Sequence, residues 1–187
     1  MEQKGPLDLG LKTLEDLNVV RHNEYRFISS DFGFVNSFRK MEANLFAIGQ
    51  PYRIKEGRAA FVKNGTARIL INLIEYTIQR NHFAVITPNS IVQITEVSPD
   101  FDMQMIAIDQ AFLPISGKED LFSYLLHHQR NILLVLSPQE LLQAENYFTL
   151  MWNILQETTF RRDAIRHLLA SLLYYICLLY TSPSPRD

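Results

Sequence analysis

Apolar and polar positions change period partway along the chain, dividing it into a strand-rich half and a helical half. Between Leu45 and Asp109, short apolar runs are separated by closely spaced turn signals. Asn64-Gly65 lies between Ala60-Phe61-Val62 and Arg68-Ile69-Leu70-Ile71 and predicts a tight hairpin, because both turn residues tolerate positive φ. Asn72-Leu73, Asn81-His82 and Pro88-Asn89-Ser90 mark three further breaks. Ser98-Pro99-Asp100 then precedes Asp102–Ile108, an expected strand with partial alternation. Ile, Val, Thr and Phe dominate this half, while Ala and Leu are sparse. Many short strands at this spacing predict a small antiparallel barrel or sandwich.

After Pro114 the apolar spacing becomes helical. Ser116-Gly117-Lys118-Glu119 has capping-box spacing, and Leu121, Tyr124, Leu125 and His128 follow on one face. Ile132–Leu136 reads as a short apolar connection. Ser137-Pro138-Gln139-Glu140 supplies an N-cap hydroxyl, a proline at the first helical position and a glutamate at the third. Leu141, Ala144, Phe148, Met151 and Leu155 then form a continuous apolar stripe, with Tyr147 and Trp152 at its edge. A second helix, capped by Thr158 or Thr159, carries Ile165, Leu168, Leu172 and Tyr175. Such a pair packs within its own chain or forms half of a subunit interface, and both arrangements need the same apolar face. The sequence predicts a homodimer in which the Leu141–Leu155 stripe takes part.

The last residues read differently. CLLYTSPSPRD, from Cys177 to Asp187, matches the translation of a transposase adapter used in sequencing libraries, and an apolar helix passes into it without a capping residue. Residues 177–187 are therefore expected to be non-native and to pack against nothing, with the natural gene continuing past Ile176. The apolar run Leu168–Tyr180 is shorter than the ~20 residues a spanning helix needs.

Composition narrows the function classes. The 187 residues suit one domain, and 47 % hydrophobic residues suffice for a core. Eighteen basic against twenty acidic residues leave a net charge of −2, without the basic excess of a nucleic-acid wrapper. One cysteine excludes a disulfide framework and a multi-cysteine zinc site. The N-terminus has no apolar stretch of signal-peptide length, so a cytoplasmic location is expected.

The segment Gly57–Ile108, with its Asn64-Gly65 turn, the short hairpin Ile69–Ile78 and the ITPNS turn, resembles a cupin barrel. The helices beginning SPQELLQAENYF and TTFRRDAIRHLLASLLYY resemble the helical extension that follows such a barrel in AraC-type (arabinose-regulator) transcription factors. The resemblance covers roughly residues 25–176 and implies a mainly β fold with C-terminal helices. Its parts are an N-terminal arm (1–24), a cupin-like antiparallel barrel or double-stranded β-helix (25–115) and an amphipathic helical pair for dimerisation (116–176). It further implies a bacterial regulator that senses a small molecule and is not an enzyme. DNA would be reached only through a helix-turn-helix domain that this chain does not contain. A stand-alone metal-free cupin, binding a sugar or acting like an isomerase, is the alternative.

Many cupins hold a metal through two histidines, a glutamate and a later histidine. Aligning that pattern on Gly65 and Pro88 places Pro51, Arg53, Arg58 and Gln93 at those positions. None is a usual ligand, and two are cationic, so neither a metal nor another cofactor is expected. His22, His82, His127, His128 and His167 are scattered along the chain. A glycine-rich phosphate loop, a G-x-S-x-G elbow and an H-E-x-x-H pair are all missing, and Glu56-Gly57-Arg58 has the wrong order for a cyclic-nucleotide capsule. Arg53, Arg58 and Gln93 remain as candidate ligand-binding residues, converging in an apolar interior with Phe61 and Met105 and favouring a sugar or an anion. The segment Val19–Phe27 is placed to close over the mouth. The opposite facing stays open, since a one-residue slip inverts every side chain, and Gly57–Ala60 can equally form a bulge.

Overall fold

The computed structural model describes residues 11–12, 24–28, 31–40, 48–113, 131–157 and 161–181. Its strands are β1 (Leu11–Lys12), β2 (Tyr25–Ile28), β3 (Phe32–Val35), β4 (Tyr52–Ile54), β5 (Gly57–Asn64), β6 (Thr66–Ile71), β7 (Ile74–Gln79), β8 (His82–Ile86), β9 (Ile91–Val97), β10 (Asp102–Ile108) and β11 (Ile132–Val135). Two helices follow, α1 (Pro138–Gln156) and α2 (Arg162–Thr181). The strands form a five-stranded sheet, β1-β4-β9-β6-β7, and a six-stranded sheet, β11-β8-β5-β10-β3-β2. Every pairing is antiparallel except the short β1–β4 contact. The expected mainly antiparallel β fold with C-terminal helices is present, its strands in two sheets that do not close into a cylinder.

The two sheets differ in how many of their faces are covered, and the sequence of each strand follows from that. In the five-stranded sheet only one face is buried, giving a strict alternation: Ala67, Ile69 and Ile71 are buried, while Thr66 and Arg68 are exposed. The six-stranded sheet is covered on both sides. Ala59, Phe61, Phe83, Val85 and Ile106 face the helices, whereas Val62, Ala84, Ile86, Met103 and Met105 face the opposing sheet. Strands β3, β8 and β10 accordingly read as almost unbroken apolar runs.

The Asn64-Gly65 turn corrects an expectation. It does not close a hairpin, because β5 belongs to the six-stranded sheet and β6 to the other. Gly65 (φ 69°) turns the corner between the layers, and a Cβ there would lie 2.6 Å from the backbone of Phe101, so only glycine fits. The tight hairpin is β6–β7, where Ile71 pairs with Ile74 around Asn72 (φ 50°) and Leu73 (φ 70°). Asn81 and Asn89 also have positive φ at the expected breaks. Ile132–Val135, read as a connection, is instead β11, an edge strand paired with β8.

Helix α1 starts where the pattern placed it. Ser137 caps it, and its hydroxyl and the Glu140 carboxylate satisfy each other's backbone N–H groups. Leu141, Ala144, Phe148, Met151 and Leu155 are its five buried residues. Their burial lies within the chain, which corrects their assignment as a dimer contact: the stripe covers the outer face of the six-stranded sheet. The Phe148 ring sits 4.8 Å from Phe61, 5.6 Å from Phe34 and 6.2 Å from Phe83 between centroids, all edge-on. Trp152 packs on Phe34, and the Arg26 guanidinium lies over its ring. Tyr147 shares a 2.8 Å hydrogen bond with Ser171 of α2.

Helix α2 presents a face rotated from the expected one: Leu169, Leu173 and Ile176 are buried with Ile165 and Leu172, while Leu168 and Tyr175 are partly covered. By length and composition it is apolar enough to cross a bilayer, and a third of that window, including Ile165, Leu169, Leu172 and Ile176, is buried inside the protein. Cys177 is also buried, so the expectation that residues 177–187 touch nothing fails at its first member. The capping signals at Ser116 and Thr158, the helix they predict after Pro114, and residues 182–187 lie outside the described residues.

Replacing Phe148 by Ala is expected to cost about 3–5 kcal/mol, whereas Leu142→Ala, at an exposed position of the same helix, should change stability by under about 0.5 kcal/mol. Urea unfolding followed by circular dichroism distinguishes the two, and equal losses would contradict this packing.

Candidate functional site

Between the sheets lies a cavity of about 60 Å³. Its origin is a coincidence of small side chains. Ala60 of β5 pairs with Ala84 of β8 in one sheet, and Ala67 of β6 lines the other wall. Three methyl groups leave unfilled space where larger side chains would meet. Ile54, Ile69, Ile78, Ile86, Ile94, Met103 and Met105 complete a wall that is almost entirely hydrocarbon. The volume exceeds the ~10–15 Å³ that admits one water, yet the walls offer water few partners.

Arg58 is the charged exception. It is 4 % exposed and lines the cavity from β5, on the same face as Ala60 and Val62. Nη1 donates to the backbone carbonyls of Glu56 (2.9 Å) and Gly57 (3.1 Å), and Nη2 to Glu56 Oε2 (3.3 Å). The Glu56 side chain is 1 % exposed, so the ion pair is removed from water. Burial lowers the Arg58 pKa, opposed chiefly by the neighbouring carboxylate. The charge of Arg58 acts on two buried phenols. Burial raises the pKa of Tyr52, with Arg58 opposing. Burial likewise raises that of Tyr25, with Arg58 opposing and Glu56 adding to it. Both remain neutral hydroxyls at physiological pH. Among the described residues, the Tyr25 hydroxyl is the one buried side-chain polar atom without a hydrogen-bond partner.

Of the three residues expected to converge, only Arg58 enters the interior. Arg53 alternates with the buried Tyr52 and Ile54 and is exposed on the outer face of β4. Gln93 alternates with the buried Val92 and Ile94, and its Nε2 donates 2.9 Å to the Gly49 carbonyl. Phe61 faces the helices, not the cavity, whereas Met105 lines it as expected. Of the segment Val19–Phe27, only residues 24–27 are described, and Tyr25 there lies beside the charged pair. Tyr25, Tyr52 and Glu56 were not singled out by the sequence. Tyr52 was legible as the partner of Ile54 in the alternation, but Tyr25 and Glu56 carry no comparable signal. His, Cys, Asp and Glu do not cluster in a metal-binding group among the described residues.

No protein-family model and no curated protein matches the sequence. Solved structures do match in fold. The AraC-like transcriptional activator CuxR aligns over 84 % of this chain and 55 % of its own, at 12 % identity and a TM-score of 0.51. The fold is shared with AraC-like regulators. An apo variant of ToxT from Vibrio cholerae aligns over 87 % of this chain and 62 % of its own, at 11 % identity and a TM-score of 0.50. Wild-type ToxT with an unsaturated fatty acid bound aligns over 87 % and 60 %, at 12 % identity and a TM-score of 0.47. This chain therefore spans less than two thirds of the length of these proteins.

Tyr25→Phe removes a buried hydroxyl that gains no hydrogen bond on folding. It is expected to leave stability unchanged or raise it by about 1 kcal/mol. A loss above about 1 kcal/mol in thermal or urea unfolding would show that the hydroxyl has a partner.

Proposed function

We propose that this chain is the ligand-sensing part of a cytoplasmic, bacterial AraC-type transcription regulator, with its DNA-binding half encoded beyond these residues. One observation carries the reading: a hydrocarbon cavity between two sheets, with one buried cation, Arg58, among the described residues of its wall. Apolar walls with one or two placed polar groups are the composition of a small-molecule site. The fold shared with CuxR and ToxT supports the same assignment. Sensing, not catalysis, suits an interior whose two charged side chains, Arg58 and Glu56, are paired with each other.

In this reading Arg58 orients the ligand, while Arg53 and Gln93 serve the outer surface of the five-stranded sheet. Dimerisation belongs to the same proposal, through side chains other than the spent stripe. Leu142 and Leu150 of α1 remain outward and apolar. A ligand that spreads the sheets also moves the six-stranded sheet on which both helices rest, so occupancy is felt at the helices.

The uninterrupted gene is expected to continue past Ile176 into a basic helix-turn-helix pair, and a stop codon directly after Ile176 would contradict the regulator reading. Residues 1–176 are expected to sediment as a dimer at high micromolar concentration. Leu150→Glu should weaken that dimer without lowering the melting temperature, because the site is already in water. A monomer at that concentration would remove dimerisation from the proposal.

A further inference from the structure

Resting on the sensing assignment, the geometry points to a ligand of a definite charge class: a small neutral molecule with a hydrogen-bond acceptor, such as a carbonyl, on an apolar body. Arg58 and Glu56 are both buried, 3.3 Å apart, and together neutral. A carboxylate entering this cavity would leave one uncompensated negative charge among isoleucines and methionines, or would have to expel Glu56 from its contact. A neutral acceptor meets neither obstacle.

The donors for such an acceptor are available. The five N–H groups of Arg58 meet three acceptors among the described residues, two backbone carbonyls and one carboxylate oxygen. The Tyr25 hydroxyl, which feels the charges of the same pair from outside the cavity's lining, is a further buried donor without a partner. The corner is thus short of acceptors, not of negative charge. Glu56 acts as a built-in counterion that satisfies the charge of Arg58 and leaves part of its hydrogen-bonding capacity unused. Small alanines at the cavity's centre and the two methionines on its wall limit the apolar body to a few carbons.

Three probes of nearly one shape separate the possibilities: 2-pentanone, butyrate and pentane. Their binding is read from the methyl resonances of Met103 and Met105 in the folded protein. We expect 2-pentanone to shift both resonances saturably and at least tenfold more tightly than either butyrate or pentane. Ala84→Val, which narrows the void, should abolish the shifts. Glu56→Gln, which removes the counterion, should bring butyrate to at least the affinity of the ketone. Butyrate binding the unaltered protein as tightly as 2-pentanone would overturn the inference while leaving the sensing reading intact. Pentane equal to the ketone would overturn the acceptor requirement. Shifts that persist in Ala84→Val, or a folded Glu56→Gln variant that still rejects butyrate, would overturn it as well. No shift with any probe would overturn the sensing reading itself.

Discussion

The structure depends on a sheet that is buried on both faces. Four of its six strands carry Phe34, Phe61, Phe83 and Ile106 toward the helices, and Val62, Ala84, Met103 and Met105 toward the second sheet. Neither face is stable alone, because each exposes a contiguous apolar surface to water. The helices are therefore part of the core and not an appendage to it. Phe148 makes the point locally: one ring from α1 touches three phenylalanines from three different strands. Two of those strands, β5 and β8, present their opposite side chains to the cavity, so the packing of the helices and the shape of the cavity are set by one sheet.

Against this hydrocarbon background the Glu56–Arg58 pair is costly to retain. Two charges taken from water lose several kcal/mol of hydration each, and their attraction repays that only with good geometry and further hydrogen bonds. At 3.3 Å the contact is longer than the ~2.7–2.9 Å of a strong charge-assisted bond, and it is not a two-pronged fork. Backbone carbonyls supply the remainder of the guanidinium's support. An arrangement this imperfect, beside a hydroxyl without a partner, is poor as a stabilising device and well suited to meeting a polar atom from outside.

The helices were the most legible part of the fold, for a physical reason. Ser137, Pro138 and Glu140 are local signals whose geometry involves no other element, and the stripe from Leu141 to Leu155 repeats long enough to define a face. The strands were harder to assign. Asn64-Gly65 states that the chain turns but not that it changes sheets, which only the opposing layer decides. In the site, alternation already placed Arg53 between Tyr52 and Ile54, and Gln93 between Val92 and Ile94, on the outside. Aligning a metal signature overrode that local evidence. Arg58 had no such guide, since a doubly buried strand surrounds it with Gly57, Ala59 and Ala60 on either face. The stripe on α1 was correctly read as apolar, but its partner was not: periodicity defines a face without saying whether the covering surface comes from the same chain.

Glu56 and Arg58 form one buried, mutually dependent unit, of which Arg58 lines the cavity. A double-mutant cycle with Glu56→Gln, Arg58→Met and the combined variant, each measured by urea unfolding, tests it most directly. Each single change is expected to cost about 3–5 kcal/mol by stranding its partner, while the double variant costs less than either, because no buried charge is left alone. Small losses that add to within about 0.5 kcal/mol would mean that the two side chains do not depend on one another, and would contradict the account.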